Sequence, residues 1–358
     1  MRIGILTFHT ADNYGAVLQS YALCSYLRKK NHEAYIVDYK PKYLLRTTYL
    51  FPSISALLRS PVRSCKTIIK TLLDLRNQLV YHNRFAKFRD EQLFLMSLNN
   101  KDDLSEFNIV IVGSDQVWNV NTTNGYDYYF WGDFKSKETR LISYAASAGK
   151  YLFTKEDFGI LEHKLKNFNA VSVREHELKM QIGQYYDKHI YEVLDPTFLL
   201  DKNDYSRFNK NAIEKEPYIL VYEVIHDPNT ERIAKHISKQ LNVNIIKVGS
   251  KSKDKIIKSI TNAGPTEFVN LINFSTCVVT TSFHGTAFSI ILNKPFYTIK
   301  VGNKSDERSS HLLSSIGLGN RHLEKNDTPL FAPIDYTVTN ELLSKIRDNS
   351  IKFLREQL

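Results

Sequence analysis

The sequence contains few cysteines and no long hydrophobic run. Cys24, Cys65 and Cys277 are far apart in the chain, which is not the spacing of a disulfide framework or a zinc cluster. The apolar runs are far shorter than the ~18–20 residues that a membrane-spanning helix needs. The chain begins directly with a strand-like segment, without the basic, apolar and small-residue stretches of a secretory signal. We therefore expect a cytoplasmic protein that holds no metal.

Several functional motifs are missing as well. The loop after the first predicted strand has no G-x-G-x-x-G, the fingerprint of dinucleotide binding. Neither H-E-x-x-H nor C-x-x-C occurs, so the common zinc sites are excluded. The sequence has no G-x-S-x-G, which excludes the nucleophile elbow of the α/β-hydrolases. It also has no recognised nucleic-acid-binding module, and we expect no nucleic-acid partner.

Acidic residues are nearly missing from residues 40–89, where Asp74 is the one anion. The segment contains eleven cations, namely Lys40, Lys42, Arg46, Arg59, Arg63, Lys66, Lys70, Arg76, Arg84, Lys87 and Arg89. Its net charge of +10 equals the formal charge of the whole chain. Such a concentration indicates an anionic partner, which could be nucleic acid, anionic lipid or a phosphorylated substrate. The alternative is an ordinary solvated basic surface.

What the sequence does have is a regular alternation of predicted strands and helices. With 358 residues and 42% hydrophobic residues, the chain is long enough for two packed domains. Apolar runs predict strands, and 3.6-residue periodicity predicts helices between them. The predicted strands are 2–8, 34–39, 109–112, 141–145, 170–173, 191–194, 218–222, 244–248, 277–281 and 296–300. The predicted helices are 16–30, 229–241, 266–273, 286–293, 307–316 and 340–356.

This alternation predicts an α/β fold of two Rossmann-like domains that face a cleft. We place the first domain at 1–200 and the second at 201–339, with a last helix in 340–358 that can return to the first domain. A basic helical insertion at 41–105 interrupts the first domain, and Ser60 begins a long amphipathic helix in it. Ligands bind such folds beyond the carboxyl ends of the strands.

The strongest candidate site is the turn that follows the predicted strand 277–281. Ser282, Phe283, His284 and Gly285 lie there, and a helix begins near Thr286. The free N–H groups of a helix start favour an anion such as phosphate. A histidine at this turn can face the cleft and titrate near neutral pH, and a glycine lets a ligand approach the backbone. The alternative is a capping turn with a structural histidine.

A second candidate follows the strand 109–112. Asp115, Gln116, Trp118 and Asn119 combine groups that bind hydroxyls with an aromatic platform, a mixture that suits a sugar. Asp115 could accept a proton from a hydroxyl. The alternative is a turn in which Asp115 caps a helix and Trp118 packs inside.

Two further segments lie at the same predicted sheet edge. Asn13 and Tyr14 belong to the first loop, which could also be a simple helix start. Arg174 follows a strand, where its guanidinium can bind a carboxylate or phosphate in a bidentate fork. The alternative for Arg174 is a salt bridge with a neighbouring glutamate such as Glu175. Asp195 is interpreted as part of a structural turn.

Taken together, these segments resemble the polysaccharide pyruvyl transferase family. The matching motifs occur in family order at 13–19, 113–119, 143–147, 172–175, 195–197 and 282–286. The resemblance implies a fold similar to that of the two-domain GT-B glycosyltransferases. It also implies transfer of pyruvate from phosphoenolpyruvate to two hydroxyls of one sugar, with a cyclic ketal and phosphate as products. Phosphoenolpyruvate is then a substrate, and no cofactor is expected.

The resemblance also implies roles for individual residues. His284 is the general acid or a phosphate ligand, and Arg174 binds the donor. Asp115 is the base or a ligand of a sugar hydroxyl. Around them, the expected donor-binding residues are Ser282, Gly285, Thr286, Arg308 and Lys304, and the expected acceptor-binding residues are Asn13, Tyr14, Gln116, Trp118 and Asn119.

The chain departs from the family pattern at two positions. Some branches of the family carry Arg-Leu-His where this chain has Ser282-Phe283-His284, so Arg308 or Lys304 must supply the missing cation. Related sequences with the Ser-Phe-His form often have Asp at the position of Thr281.

The resemblance makes a polyprenyl-pyrophosphate-linked acceptor plausible, and residues 40–89 would then dock at an anionic membrane surface on the inner face of the cell membrane. Two alternatives remain open: a GT-B-type glycosyltransferase that uses a nucleotide sugar, and a non-enzymatic membrane-docking protein.

Overall fold

Two parallel β-sheets organise the chain. The computed structural model describes residues 1–45, 58, 60–97, 101–134, 138–302 and 305–358. The strands are β1 (Arg2–Leu6), β2 (Glu33–Val37), β3 (Leu95–Met96), β4 (Ile109–Val112), β5 (Arg140–Ser143), β6 (Val171–Val173), β7 (Ile190–Glu192), β8 (Tyr218–Tyr222), β9 (Asn244–Val248), β10 (Lys258–Ile260), β11 (Cys277–Thr280), β12 (Phe296–Ile299) and β13 (His322–Leu323). The first sheet has the order β3-β2-β1-β4-β5, and the second has the order β10-β9-β8-β11-β12-β13.

Helices connect these strands and cover the sheets. They are α1 (Tyr14–Lys29), α2 (Lys42–Leu45), α3 (Pro61–Leu73), α4 (Leu75–Gln92), α5 (Phe158–Leu165), α6 (His176–Ile182), α7 (Pro228–Leu241), α8 (Pro265–Phe274), α9 (Phe283–Ile291), α10 (Ser305–Ser315) and α11 (Tyr336–Gln357). No helix in the described part of the chain is both long and apolar enough to cross a membrane.

The central strands are buried on both faces. Every residue of β4, β8 and β11 is buried, because helices cover both sides of a parallel sheet. In the first sheet, Ile5 of β1 pairs with Ile36 of β2 and Ile111 of β4. The short strands β6 and β7 pair with each other and extend the same sheet through a bridge between Ile142 and Ala170. The carboxyl ends of all these strands therefore lie along one edge.

One hydrophobic core runs through both domains. Tyr14, at the start of α1 in the first domain, stacks on Phe268 of α8 in the second, with ring centroids 4.3 Å apart. Its hydroxyl donates to the backbone oxygen of Ala263 at 2.8 Å. The last helix, α11, packs on the first domain, where the ring of Phe353 lies 4.9 Å from that of Tyr191. The core contact at Tyr14 thus joins the two domains directly.

The basic insertion differs from its prediction. The single long helix expected after Ser60 is two helices, because the chain breaks at Asp74 between α3 and α4. Helix α4 bridges the domains: Arg89 pairs with Asp12 of the first domain at 2.7 Å, and Arg84 donates to the backbone oxygen of Asn262 of the second at 2.9 Å.

Several cations of the basic segment 40–89 are therefore paired within the protein. Lys40 pairs with Asp38 at 2.7 Å, and Arg84 lies 3.3 Å from Glu267 in addition to its backbone contact. Arg46 and Arg59 lie outside the described residues, as do the side chains of Arg63 and Lys70.

Candidate active site

A cavity of about 670 Å³ lies between the domains, at the carboxyl ends of both sheets. Seven of the predicted site residues line its wall, and they come from both domains: Asn13, Asp115, Gln116, Arg174, Ser282, His284 and Arg308. Parallel strands deliver their following loops to one edge, so these residues meet although they are distant in sequence. The volume is typical of a small-molecule site.

His284 lies in the first turn of α9. Ser282 caps this helix, because its side-chain oxygen accepts a hydrogen bond from the N–H of Gly285 at 3.4 Å. The His284 ring, with 13% of the side chain exposed, packs against the backbone of Gly15. A Cβ atom at position 15 would collide with the imidazole, so glycine is required there for the close approach of the two domains.

Asp195 connects His284 with Arg174, although the sequence indicated only a structural turn for this residue. Its Oδ2 lies 2.7 Å from Arg174 Nη1 and 3.6 Å from His284 Nε2. Its Oδ1 accepts hydrogen bonds from the backbone N–H and hydroxyl of Thr197. Burial alone would raise the pKa of Asp195, but His284, Arg174 and Thr197 outweigh it and hold the pKa well below its usual range. Asp195 is therefore a buried carboxylate that holds Arg174, the predicted donor-binding residue, and lies close to His284, the predicted catalytic residue.

Arg174 is almost completely buried among carboxylates. Besides its contact with Asp195, its Nε donates to Glu175 Oε1 at 3.3 Å, and its Nη2 lies 3.9 Å from Asp115 Oδ1. Burial works to lower the pKa of Arg174, but Glu175, Asp195 and Asp115 outweigh it and raise the pKa. The two interpretations of Arg174 are compatible, because the residue pairs with Glu175 and also lines the cavity.

Arg308 of α10 brings a second guanidinium to the same wall. It lies 3.7 Å from Glu175 Oε1 and places its guanidinium carbon 5.3 Å from the centre of the Phe283 ring. The guanidinium of Arg174 lies 5.5 Å from that ring as well. Burial and repulsion from Arg174 lower the pKa of Arg308. Phe283, which the sequence indicated only as a neighbour of His284, thus holds two cations close together.

Three buried polar atoms on this wall have no hydrogen-bond partner among the described residues: Arg174 Nη2, Glu175 Oε2 and His284 Nε2. Buried polar atoms in native proteins are normally paired, so unpaired ones that gather on a cavity wall are available to bind a ligand. A donor, an acceptor and an imidazole nitrogen are available together. The arrangement can bind an anion and exchange a proton with it.

Asp115 and Gln116 face the cavity from the end of β4. Asp115 has a φ of 71°, in the left-handed region that aspartate tolerates better than most residues. Its Oδ1 accepts from the N–H of Gln116 at 2.9 Å, and Gln116 Oε1 accepts from Asn119 at 2.9 Å. Asn13 also lines the cavity while its side chain caps α1.

Three predicted acceptor residues lie elsewhere, and we correct their roles. Trp118 is completely buried, and its indole N–H donates to the backbone oxygen of Phe130 at 3.0 Å, so it packs inside instead of forming a platform. Asn119 is buried and accepts from the N–H of Asn121 at 3.2 Å, which makes it a turn residue. Tyr14 belongs to the core between the domains and does not line the cavity.

Two predicted donor residues are also internal. Thr286 is completely buried, and its hydroxyl bonds to the backbone oxygen of Ser282 and to the hydroxyl of Thr298. Gly285 faces Thr280 of β11, so its missing side chain allows helix-to-strand packing and not a ligand contact. Lys304 lies outside the described residues.

Within the described residues, no group of three or more His, Cys, Asp and Glu side chains is arranged to hold a metal ion.

These observations define a class of protein: two Rossmann-like domains with a polar cavity in the cleft between them. The chain belongs to the polysaccharide pyruvyl transferase family, whose model matches residues 13–303. The family is one of transferases, which agrees with the predicted class of enzyme. No curated protein matches the chain by sequence.

Solved structures show the fold. A Listeria monocytogenes protein, provisionally assigned as a UDP-N-acetylglucosamine 2-epimerase, is 10% identical, with a TM-score of 0.51 over 98% of this chain and 90% of that chain. The UDP-GlcNAc 2-epimerase of Neisseria meningitidis, bound to UDP-GlcNAc, is 10% identical, with a TM-score of 0.47 over 100% of this chain and 99% of that chain. The predicted fold class, two Rossmann-like domains arranged as in GT-B enzymes, is confirmed.

Proposed function

We propose that the protein transfers the pyruvyl group of phosphoenolpyruvate to two hydroxyls of one sugar and forms a cyclic ketal. The observation that carries this proposal is the set of unpaired buried atoms on the cavity wall, Arg174 Nη2 and His284 Nε2 above all. Phosphoenolpyruvate has a carboxylate and a phosphate, which need cationic donors, and an enol carbon that must receive a proton. Both requirements are met on one wall, and the family of the chain performs pyruvyl transfer.

In this reaction, His284 gives a proton to the methylene carbon of phosphoenolpyruvate, which makes the adjacent carbon electrophilic. One sugar hydroxyl attacks that carbon, the bond to the phosphate oxygen breaks, and the second hydroxyl closes the ring. The two hydroxyls release two protons. One returns to His284, which gave its own proton to the new methyl group, and the other leaves with phosphate. Asp115 is placed on the same wall, where it can accept a hydroxyl proton.

Arg308 is our proposed replacement for the cation that Ser282 lacks. Its guanidinium stacks on Phe283, the residue between Ser282 and His284, and its one ion pair within the described residues is the 3.7 Å contact with Glu175. Most of its donors are therefore available for a carboxylate or phosphate. Glu175 and Asp195 hold the two guanidiniums in place and reduce their mutual repulsion.

The acceptor is proposed to be a sugar of a surface-polysaccharide precursor carried on a polyprenyl pyrophosphate. Asn13 and Gln116 would contact its hydroxyls, because both present amide groups at the cavity wall. The family and the basic segment 40–89 support this acceptor class.

The proposal is tested by incubating the protein with phosphoenolpyruvate and polyprenyl-pyrophosphate-linked oligosaccharides. We expect release of phosphate and a product heavier than the acceptor by pyruvate minus one water. His284→Ala should lower turnover by ~10²–10⁴-fold, the usual contribution of one positioned acid. His163→Ala, at an exposed position of α5, is the matched control and should leave turnover unchanged.

A competition experiment separates the proposal from a glycosyltransferase. Calorimetry should show that phosphoenolpyruvate binds and that UDP-sugars do not displace it. Binding of the UDP-sugar alone would refute pyruvyl transfer, and near-normal turnover of His284→Ala at saturating donor would refute the assigned acid. In that case phosphate binding would be the remaining role of the imidazole.

A further inference from the structure

Helix α3 presents large apolar side chains to solvent. Four of its thirteen residues are exposed aliphatics, with exposed fractions of 69% for Val62, 58% for Ile69, 56% for Leu72 and 84% for Leu73. Apolar residues scattered singly over a surface need no explanation, but a contiguous group on one helix marks an interaction site.

These residues form one continuous face. At ~100° per residue, positions 62, 65, 69, 72 and 73 fall within one arc of about 100°. Among its described side chains, the helix buries Ser64 and Thr71, which are small and polar. The usual arrangement of a surface helix, apolar inside and polar outside, is therefore reversed in α3.

Basic residues occupy helix positions next to the apolar face. Positions 63, 66 and 70, occupied by Arg63, Lys66 and Lys70, share one side of the helix at i, i+3 and i+7 spacing. The helix contains no acidic residue. A second copy of the same face would bring these cations together, so charge does not favour self-association.

We propose that α3 lies in the interface of an anionic lipid bilayer, with Val62, Ile69, Leu72 and Leu73 inserted among the acyl chains. Helices that bind in the plane of a membrane combine an apolar face with adjacent cations, as α3 does. The inference differs from attraction by the whole basic segment, because Arg84 and Arg89 of α4 are used between the domains. Docking requires both the apolar face and the charge of α3.

The protein carries its own reporter for this insertion. Cys65 is exposed and belongs to the apolar face, whereas Cys24 and Cys277 are buried. Burial raises the pKa of Cys24 and of Cys277 to about 12, which keeps both thiols protonated and slow to react. An environment-sensitive fluorophore can therefore be attached to Cys65 of the unmodified chain.

The test uses vesicles of phosphatidylglycerol and phosphatidylcholine, with pure phosphatidylcholine vesicles for comparison. We expect the full chain to co-sediment with the anionic vesicles and the fluorophore to shift to the blue. Leu72→Ala/Leu73→Ala should lower the partition coefficient at least about tenfold, since each buried CH2 contributes about fourfold. Leu330→Ala, at a position that is 78% exposed outside α3, should leave it unchanged.

The charge is tested separately. Lys66→Glu should reduce binding to anionic vesicles by more than about fivefold, because one cation at such a surface contributes about that factor. Lys210→Glu changes the net charge equally at an exposed site outside the insertion and is the control. High salt should weaken the binding of the unmodified chain.

Three results would overturn the inference: no binding to either vesicle, equal effects of the α3 variants and their controls, or binding without a blue shift. A concentration-dependent dimer that disappears in Leu72→Ala/Leu73→Ala would assign the face to a second copy. Phosphoenolpyruvate binding, measured by calorimetry without vesicles, keeps this test separate from the proposed reaction, because the α3 variants should retain it.

Discussion

Replacing Asp195 with asparagine should destabilise the protein far more than the same change at a surface aspartate whose ion pair is equally short. The asparagine side chain keeps an oxygen for Thr197 but loses the charge that faces Arg174 at 2.7 Å. At an effective dielectric constant of ~20, two unit charges at this distance attract by about 6 kcal/mol before the cost of their desolvation. Breaking a buried ion pair from one side costs ~3–5 kcal/mol in measured cases.

We expect Asp195→Asn to lower the free energy of unfolding by about 3 kcal/mol, the lower end of that range. The loss is limited because Arg174 keeps Glu175 at 3.3 Å and Asp115 at 3.9 Å. Asp204→Asn is the matched control. Asp204 also pairs at 2.7 Å, but its partner Lys29 has 60% of its side chain exposed, and such surface pairs contribute only ~0.2–1 kcal/mol. Urea unfolding at neutral pH measures both changes.

The depressed pKa of Asp195 also predicts how the stability loss in Asp195→Asn changes with pH. The folded-state pKa of Asp195 is depressed below the ~3.9 of an unfolded aspartate, so its contribution is present at and above pH ~5. It is lost as the pH falls through the folded-state value. The difference between wild type and Asp195→Asn should therefore shrink on acidification below pH ~4. Equal costs for Asp195→Asn and Asp204→Asn, or a difference that grows in acid, would refute the buried pair.

Three further substitutions test the site and its surroundings. Arg174→Lys should weaken phosphoenolpyruvate binding, because lysine keeps the charge and loses the planar fork; an unchanged dissociation constant by calorimetry would leave Arg174 a structural role only. Trp118→Phe should lower the unfolding free energy by ~1–3 kcal/mol through the lost bond to Phe130 and a small cavity, and should leave the KM for the acceptor unchanged. Gly285→Ala should cost ~1–3 kcal/mol, visible as a lower Tm, because the added methyl meets Thr280; an unchanged Tm would contradict this packing.

The sheet strands were predictable because their burial depends on local sequence. Runs such as 109–112 and 277–280 contain only residues that can be buried on both faces, and both are central strands. The strands β3, β10 and β13, with two or three residues each, lie at the edges of their sheets and were not predicted. They form because an existing sheet edge offers hydrogen bonds, which is a tertiary effect.

The break at Asp74 was not predictable from apolar spacing. The apolar positions from Val62 to Phe88 have helical periodicity, but they lie in two different environments. Phe85 and Phe88 are buried in the core, whereas Val62 is 69% exposed. Periodicity indicates that a face is apolar, and it does not indicate what covers that face.

The residues of the candidate site were also predictable only in part. His284 and Arg174 were predictable because a polar residue directly after a buried strand reaches the carboxyl edge of the sheet. Asp195 was missed because its partners are 21 residues away at Arg174 and 89 residues away at His284. Trp118 was wrongly predicted to face the acceptor. It stacks on Trp131, which belongs to a loop without regular periodicity, so no sequence pattern indicated this packing.

The insertion that contains α3 also contacts both domains beside the cleft, so a test of the proposed membrane contact must leave these contacts intact. Asp12, next to the cavity residue Asn13, is held by Arg89 and His82 of α4, while Arg84 of α4 pairs with the second domain. Deleting the insertion would therefore remove the proposed membrane contact and disturb the cavity at the same time. Point changes on the exposed face of α3 avoid this, because Leu72 and Leu73 project to solvent beyond these contacts. The proposed membrane docking and the proposed reaction can thus be measured independently, although α4 connects the two parts of the molecule.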